Sequence, residues 1–262
     1  DITKSINYAQ RIQQAMLPVQ ESLSEIIPES FIYFRPRDIV SGDFYWFYLL
    51  DNKKNDLTEK GSCDFLIAAV DCTGHGVPGA FMSMIGFNLL ETIVSNGVTE
   101  PNKILDALHS GIKFALKQDI TDNKDGMDVA ICKVNRKEKV IEFAGAKNPL
   151  IFVKNGVLLE CVADKFPIGG QNLRMRVPYS LQKVSYADSP VTCYLYSDGY
   201  QDQFGGENGM KFMSKNFKNF LHSIHDKSMK DQPNLLEQNR LEWMGSENKQ
   251  IDDVLVIGFT LS

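Results

Sequence analysis

The sequence has little of what marks a secreted, zinc-binding or membrane-spanning protein. Its five cysteines, Cys63, Cys72, Cys132, Cys161 and Cys193, are odd in number, widely spaced and set in apolar runs. None forms a Cys-x-x-Cys pair or a Cys/His zinc spacing, so buried free thiols in a reducing compartment are expected. No uninterrupted apolar run approaches the length of a membrane span and no signal peptide is visible, which predicts a soluble, cytoplasmic domain without membrane contact of its own. The chain opens mid-pattern at Asp1 without a Met, so it is read as a fragment whose longer form would carry an upstream sensor module or a membrane anchor.

A basic surplus is also missing. The 28 Lys and Arg residues are outnumbered by 33 Asp and Glu, and the net charge of -5 leaves no broad footprint for nucleic acid or anionic lipid. There is no repeat, no low-complexity tract and no Gly-x-x-x-x-Gly-Lys loop, which excludes a solenoid, a disordered chain and a P-loop NTPase. What remains is an ordinary globular composition, long enough to bury one large core.

Periodicity then orders the chain. Residues 2–17 predict a helix stopped by Pro18, with Ile2, Ile6, Ala9, Ile12 and Met16 on one narrow apolar stripe. Such a stripe suits a signalling or dimerising helix from an upstream module, or equally a helix packed on its own domain. We therefore divide the chain into an N-terminal signalling or linker helix, 1–28, and a catalytic domain, 29–262. Aromatic, period-two runs predict strands over 31–36 and 43–50, a hairpin loop over 51–62 and a central strand over 63–70 that ends on Asp71. Pro78 opens a helix to about Val94, with Phe81, Ile85, Leu89 and Ile93 on one side; Pro101 opens a second amphipathic helix. A meander follows at 128–134, 140–144, 150–153 and 157–161, then a loop at 168–170 and strands at 177–186 and 191–197. Helices are predicted over 209–224 and 232–243, and a last strand over 252–259. Antiparallel-type strands with helices in two separate groups argue for an α+β sandwich rather than alternating βαβ units.

Four apolar strands carry acids at their ends in small-residue turns: Asp43 after Ser41-Gly42, Asp71 before Gly74-His75-Gly76, Asp198 between Ser197 and Gly199, and the pair Asp252-Asp253. Carboxylates brought together repel unless cations pair with them or protons neutralise them. All-oxygen ligation without Cys or His clusters selects hard ions such as Mg²⁺ or Mn²⁺, and two such ions activate water for phosphoryl displacement.

These pieces, with Arg35-Pro36, Val77-Pro78-Gly79-Ala80, Gly145-Ala146 and Asn148-Pro149, stand in one order over roughly residues 30–260. In that order the sequence resembles the SpoIIE/RsbU type of the PPM (PP2C-like) metal-dependent serine/threonine phosphatases. The resemblance implies a PP2C-like α-β-β-α sandwich of two antiparallel sheets flanked by helices. It implies Asp71 as the bridge between two Mn²⁺ or Mg²⁺ ions, the Cys72 carbonyl as a further ligand, Asp43 on the second ion, and Asp198 and Asp252 on the first. Asp71 and Asp43 would carry the catalysis, and Asp253 is the lesser candidate of its pair.

His75 is a candidate proton donor to the leaving oxygen, or else a turn residue, and Asp125 or Asp128 a candidate for a weak third ion. Leu255 stands where the family usually has a hydroxyl residue. The phosphate-gripping Arg of the eukaryotic enzymes is not assigned to Arg35 or Arg37. The implied substrate is a phosphorylated regulatory protein of the anti-sigma-factor-antagonist type, and a homodimer through the N-terminal helix is an expectation. Two alternatives stand beside this reading: a catalytically silent relative acting as a binding module, and a metal-dependent hydrolase of small phosphorylated metabolites.

Overall fold

Strands form where β-branched and aromatic residues line up, and helices where Pro and polar turns release them. The computed structural model describes residues 2–50, 63–170 and 177–262, so the predicted hairpin loop at 51–62 lies outside the described residues. In chain order the elements are α1 (Ile2–Met16), α2 (Gln20–Ile26), β1 (Ser30–Arg35), β2 (Phe44–Leu49), β3 (Phe65–Cys72), α3 (Gly76–Ser95), α4 (Pro101–Ala115), β4 (Gly126–Asn135), β5 (Val140–Ala146), β6 (Leu150–Lys154) and β7 (Val157–Cys161). Then come β8 (Ile168–Gly169), β9 (Gln182–Ser185), β10 (Val191–Tyr196), α5 (Gly199–Asp202), β11 (Phe204–Gly205), β12 (Met210–Lys211), α6 (Ser214–Ile224), α7 (Gln232–Met244) and β13 (Val254–Leu261).

The strands assemble into two antiparallel sheets, one in the order β2-β3-β4-β5-β9 with β8 beside β4, the other in the order β1-β13-β10-β6-β7. Three cores separate four layers. Tyr45, Phe65, Ile67 and Phe143 of one sheet meet Cys193, Leu195, Leu255 and Ile257 of the other in the middle. Trp46, Leu66 and Ile131 pack with Leu90, Ile104 and Leu108 of α3 and α4 on one outer face, and Tyr33, Tyr194 and Val256 with Phe217, Leu221 and Leu236 of α6 and α7 on the other. The expected α-β-β-α sandwich is therefore what the chain forms. Four of the thiols are buried and Cys63 is half-buried, and no disulfide links them.

Several boundaries differ from the sequence reading. The strand expected over 177–186 is only Gln182–Ser185, because Pro178 cannot donate to a ladder. The 168–170 loop instead gives β8, which pairs Gly126 and Met127. The helix expected from 209 begins at Ser214. Before it Met210 and Lys211 pair with β11, and Met213 turns the chain at φ 76°. On α3 the buried stripe is Met82, Gly86, Leu90 and Val94, one residue away from the expected one, and Phe81 is 65% exposed. At 20 residues and a mean hydropathy of 1.4, α3 is also long and apolar enough to cross a membrane, the one such helix among the described residues. In the fold it lies against the first sheet.

Two N-terminal features were not legible. The short helix α2 sends Leu23 and Ile26 into the middle core. The stripe on α1 is partly unused, Ile2 being 79% exposed, while the buried residue of that helix is Gln13. Gln13 Nε2 donates to the Ser41 carbonyl (2.7 Å) and to Ser83 Oγ (3.0 Å), and its Oε1 accepts from the Ser41 N–H (3.0 Å).

Candidate metal and active site

Antiparallel pairing brings the acids to one end of the sandwich. In the first sheet Phe44 pairs with Val70, so the start of β2, preceded by Asp43, lies beside the end of β3, which carries Asp71. Asp71 itself stands opposite Asp128 of β4. In the second sheet Tyr196 pairs with Val256, which sets Asp198, just past β10, beside Asp252 and Asp253, just before β13. The sheets meet at these ends: the Asp198 N–H donates to Asp71 Oδ2 at 3.2 Å. A 290 Å³ cleft opens there, lined by Asp71, Cys72, Asp128, Asp198 and Asp252 together with Thr73, His75, Lys124 and Lys147.

The turns are held too tightly for larger residues. A Cβ at Gly42 would strike the Gly74 carbonyl, and Gly79 meets the same oxygen, so the loop before Asp43 and the N-terminus of α3 stack on one backbone group. The second acid of the last pair serves this packing. Buried Asp253 accepts from the Arg37 N–H through Oδ1 and from the Gly42 N–H through Oδ2, both at 2.8 Å, while Asp252 faces the cleft. The hydroxyl missing at Leu255 is supplied from across the sheet. Ser197 Oγ accepts from the Leu255 N–H (3.0 Å), and its side chain hydrogen-bonds Asp43.

Electrostatically the cleft is loaded against itself. Burial, then the Asp71 charge, pushes the Asp43 carboxyl well above the usual carboxylate range. Burial followed by Asp198 does the same to Asp71. Asp198, Asp252 and Asp128 are also raised, chiefly by burial, with Lys147 partly opposing it at Asp128. The Cys72 thiol is pushed up by burial and then by Asp43, so it stays protonated and only its carbonyl is a plausible donor. Asp43 is 3% exposed, and its Oδ2 is buried without a hydrogen-bond partner.

An orphaned buried carboxylate oxygen beside four more acids is what hard cations would satisfy, so the donor set fits divalent metal. Among the described residues no three His, Cys, Asp or Glu side chains stand close enough together to hold one ion by themselves, and Asp43 lies behind the cleft while Asp71, Asp128, Asp198 and Asp252 line it. They line an open cleft, which suits ions that keep several waters.

The remaining candidates separate. Asp125 points into its own loop, accepting from Asn123 Nδ2 at 2.8 Å, and does not line the cleft; Asp128 does. His75 lies between two partners, Asp38 Oδ2 at 2.9 Å from Nδ1 and Arg37 Nη1 at 2.6 Å from Nε2. A guanidinium only donates, so Nε2 accepts, and the ring proton sits on Nδ1 toward Asp38. Arg35 lies over the Tyr33 ring, 3.6 Å from Glu237. Lys147 and Lys124, the cations of the cleft, went unremarked in the sequence, where a lysine in a turn carries no signal of its own.

Two antiparallel sheets between helical layers, with acids at the facing strand ends, define a PP2C-type phosphatase fold. The chain belongs to the Stage II sporulation protein E (SpoIIE) family, whose profile matches residues 62–261. Among solved structures it is similar to the SiaA-PP2C domain of Pseudomonas aeruginosa, with 31% identity, a TM-score of 0.83, and coverage of 100% of this chain and 97% of that one. The PP2C phosphatase domain of SpoIIE from Bacillus subtilis, with a fragment of its regulatory domain, shares the fold at 18% identity and a TM-score of 0.65, over 88% of this chain and 61% of that one. RsbX in complex with magnesium does so at 15% identity and a TM-score of 0.55, over 89% and 94%. A comparison with curated protein sequences finds no match.

Proposed function

We propose that the chain is a Mn²⁺- or Mg²⁺-dependent phosphatase that hydrolyses phosphoserine or phosphothreonine on a regulatory protein. The observation that carries the reading is the gathering of Asp71, Asp128, Asp198 and Asp252 around one cleft, with the orphaned Asp43 Oδ2 buried behind it under the charge of Asp71. Family membership and the 31% identity to the SiaA-PP2C domain over the whole chain support phosphatase activity. That RsbX, of the same fold, is described in complex with magnesium supports the choice of hard ions.

Two divalent ions at such a site would supply charge neutralisation and Lewis-acid activation of water. The chain's own residues do the rest. Asp71, at the end of a buried strand, would hold both ions, with the Cys72 carbonyl beside it; Asp43 would serve one, and Asp198 and Asp252 the other. Asp128 would serve a third, weakly held one. Asp253 fixes the Gly42 and Arg37 backbone, and so the loop that presents Asp43. His75, with its proton directed to Asp38, acts in this arrangement as a support for Arg37 and the Gly74–Gly76 turn rather than as a proton donor.

An open cleft admits a phosphorylated side chain presented on a protein surface, and membership of the SpoIIE family supports a protein substrate. Residues 1–28 would link the 29–262 domain to an upstream sensor in a cytoplasmic assembly, and the exposed part of the α1 stripe would serve a homodimer. The test is hydrolysis of p-nitrophenyl phosphate and of a phosphoseryl protein with added Mn²⁺. Activity that disappears in Asp71→Asn and exceeds turnover of nucleotides is expected. Activity absent from the wild type, or equal in Asp71→Asn, would sink the reading.

A further inference from the structure

We propose that Lys147 grips the substrate's phosphate in the cleft. The proposal rests on the phosphatase reading. A phosphate monoester entering among Asp71, Asp128, Asp198 and Asp252 meets four carboxylates. Ions held by those acids would neutralise part of the phosphate's charge, and its remaining oxygens would still favour a cation of the protein. Among the described residues two lysines line the cleft, Lys124 and Lys147. Arg37 does not line it, and its Nη1 is directed to His75 Nε2 at 2.6 Å.

Both lysines are exposed, and Lys147 is the one that reaches a cleft carboxylate, Asp128. Lys147 sits in the turn between β5 and β6 at φ 64°, a left-handed conformation uncommon for a residue with a Cβ. The surrounding structure enforces it. The Lys147 N–H donates to the Asp164 carbonyl (2.8 Å), the Asp164 N–H to the Gly145 carbonyl (2.9 Å) and the Asn148 N–H to the Ala146 carbonyl (2.8 Å). Gly145 has no room for a Cβ against the Asn148 carbonyl and Phe143. Lys117 and Lys139 take the same conformation in other turns, so what distinguishes Lys147 is where this frame places it, at the edge of the cleft.

The frame directs Nζ to 3.5 Å from Asp128 Oδ2, across the β3–β4 register from Asp71. That pair is long, the lysine side chain is 49% exposed, and an ammonium carries three donors. An incoming phosphate can therefore be bound without first breaking a tight ion pair. A compact point charge on a flexible stem suits a ligand that arrives and leaves on every turnover.

The experiment compares the wild type with Lys147→Gln, Lys147→Arg and Lys124→Gln, all loaded with Mn²⁺. Inorganic phosphate and Mn²⁺ affinities are measured by calorimetry, and KM and kcat with p-nitrophenyl phosphate. In Lys147→Gln the phosphate Kd and the KM should both rise about tenfold, the loss expected for one charge-assisted contact at a partly exposed site, with Mn²⁺ affinity unchanged. Lys147→Arg should recover most of both. Unchanged phosphate binding in Lys147→Gln, a change confined to Mn²⁺ affinity, or a loss that appears only in Lys124→Gln overturns the proposal while wild-type turnover leaves the phosphatase reading standing. A wild type that neither binds phosphate nor turns over substrate removes both.

Discussion

Asp43 and Asp71 are costly residues to bury without a partner, and their replacement should show it in two opposite ways. In metal-free protein Asp71→Asn removes a charge that burial and Asp198 oppose. A relief of about 1 kcal/mol corresponds to about 2–4 °C in a chain of this size, so calorimetry in chelator should give a Tm higher by that amount. The same variant should lose the thermal shift that Mn²⁺ gives the wild type, and about a hundredfold or more of kcat. Such acids were legible because each stands at the end of a strand that the sequence marks by itself. The roles of Asp253 and Asp128 were not. Which of two adjacent acids faces a cleft depends on the Arg37 and Gly42 amides brought in from residues about 210 positions away. That Asp128 faces Asp71 depends on strand register.

At the scale of elements, α1 is tied to the site by a polar contact rather than by its apolar stripe. Gln13 completes both backbone groups of Ser41, two residues before Asp43, and also holds Ser83 of α3. Gln13→Ala leaves those buried groups unpaired and should cost about 1–3 kcal/mol in urea unfolding; loss of α1 packing alone would leave the midpoint unchanged. Periodicity found α1 and α4 but placed the wrong stripe of α3 in the core. That helix is apolar nearly all round, so only the sheet beneath decides its buried face. There Gly86 lies where a Cβ would come within 2.9 Å of Met127 Cε. Gly86→Val should therefore destabilise the fold by about 1–3 kcal/mol through overpacking, read as a lower denaturant midpoint. The short pieces α2, β8, β11 and β12 escaped because two to seven residues carry too little periodicity to register.

For the molecule as a whole, the raised carboxyls at Asp43, Asp71, Asp128, Asp198 and Asp252 fix the sign of a pH dependence. A carboxyl whose folded pKa exceeds its unfolded value of about 4 contributes stability that is fully present below that value and lost as pH rises through the folded one. Metal-free protein should thus melt at a lower temperature at pH 8 than at pH 5. Divalent ions bound as proposed would hold the same groups ionised and reverse this contribution, so the protein with Mn²⁺ should instead lose stability as pH falls. The layered fold was readable in outline from the order of strands and helices. What joins the two sheets at the acid-bearing end, Ser197 reaching Asp43 and the Asp198 N–H reaching Asp71, is visible only once the sheets face each other. The most direct test of the metal centre is anomalous diffraction from crystals soaked in Mn²⁺. Two peaks in the cleft, both against Asp71 and completed by Asp43, Asp198 and Asp252, are the predicted result; ions bound elsewhere, or none at Asp71, would contradict it.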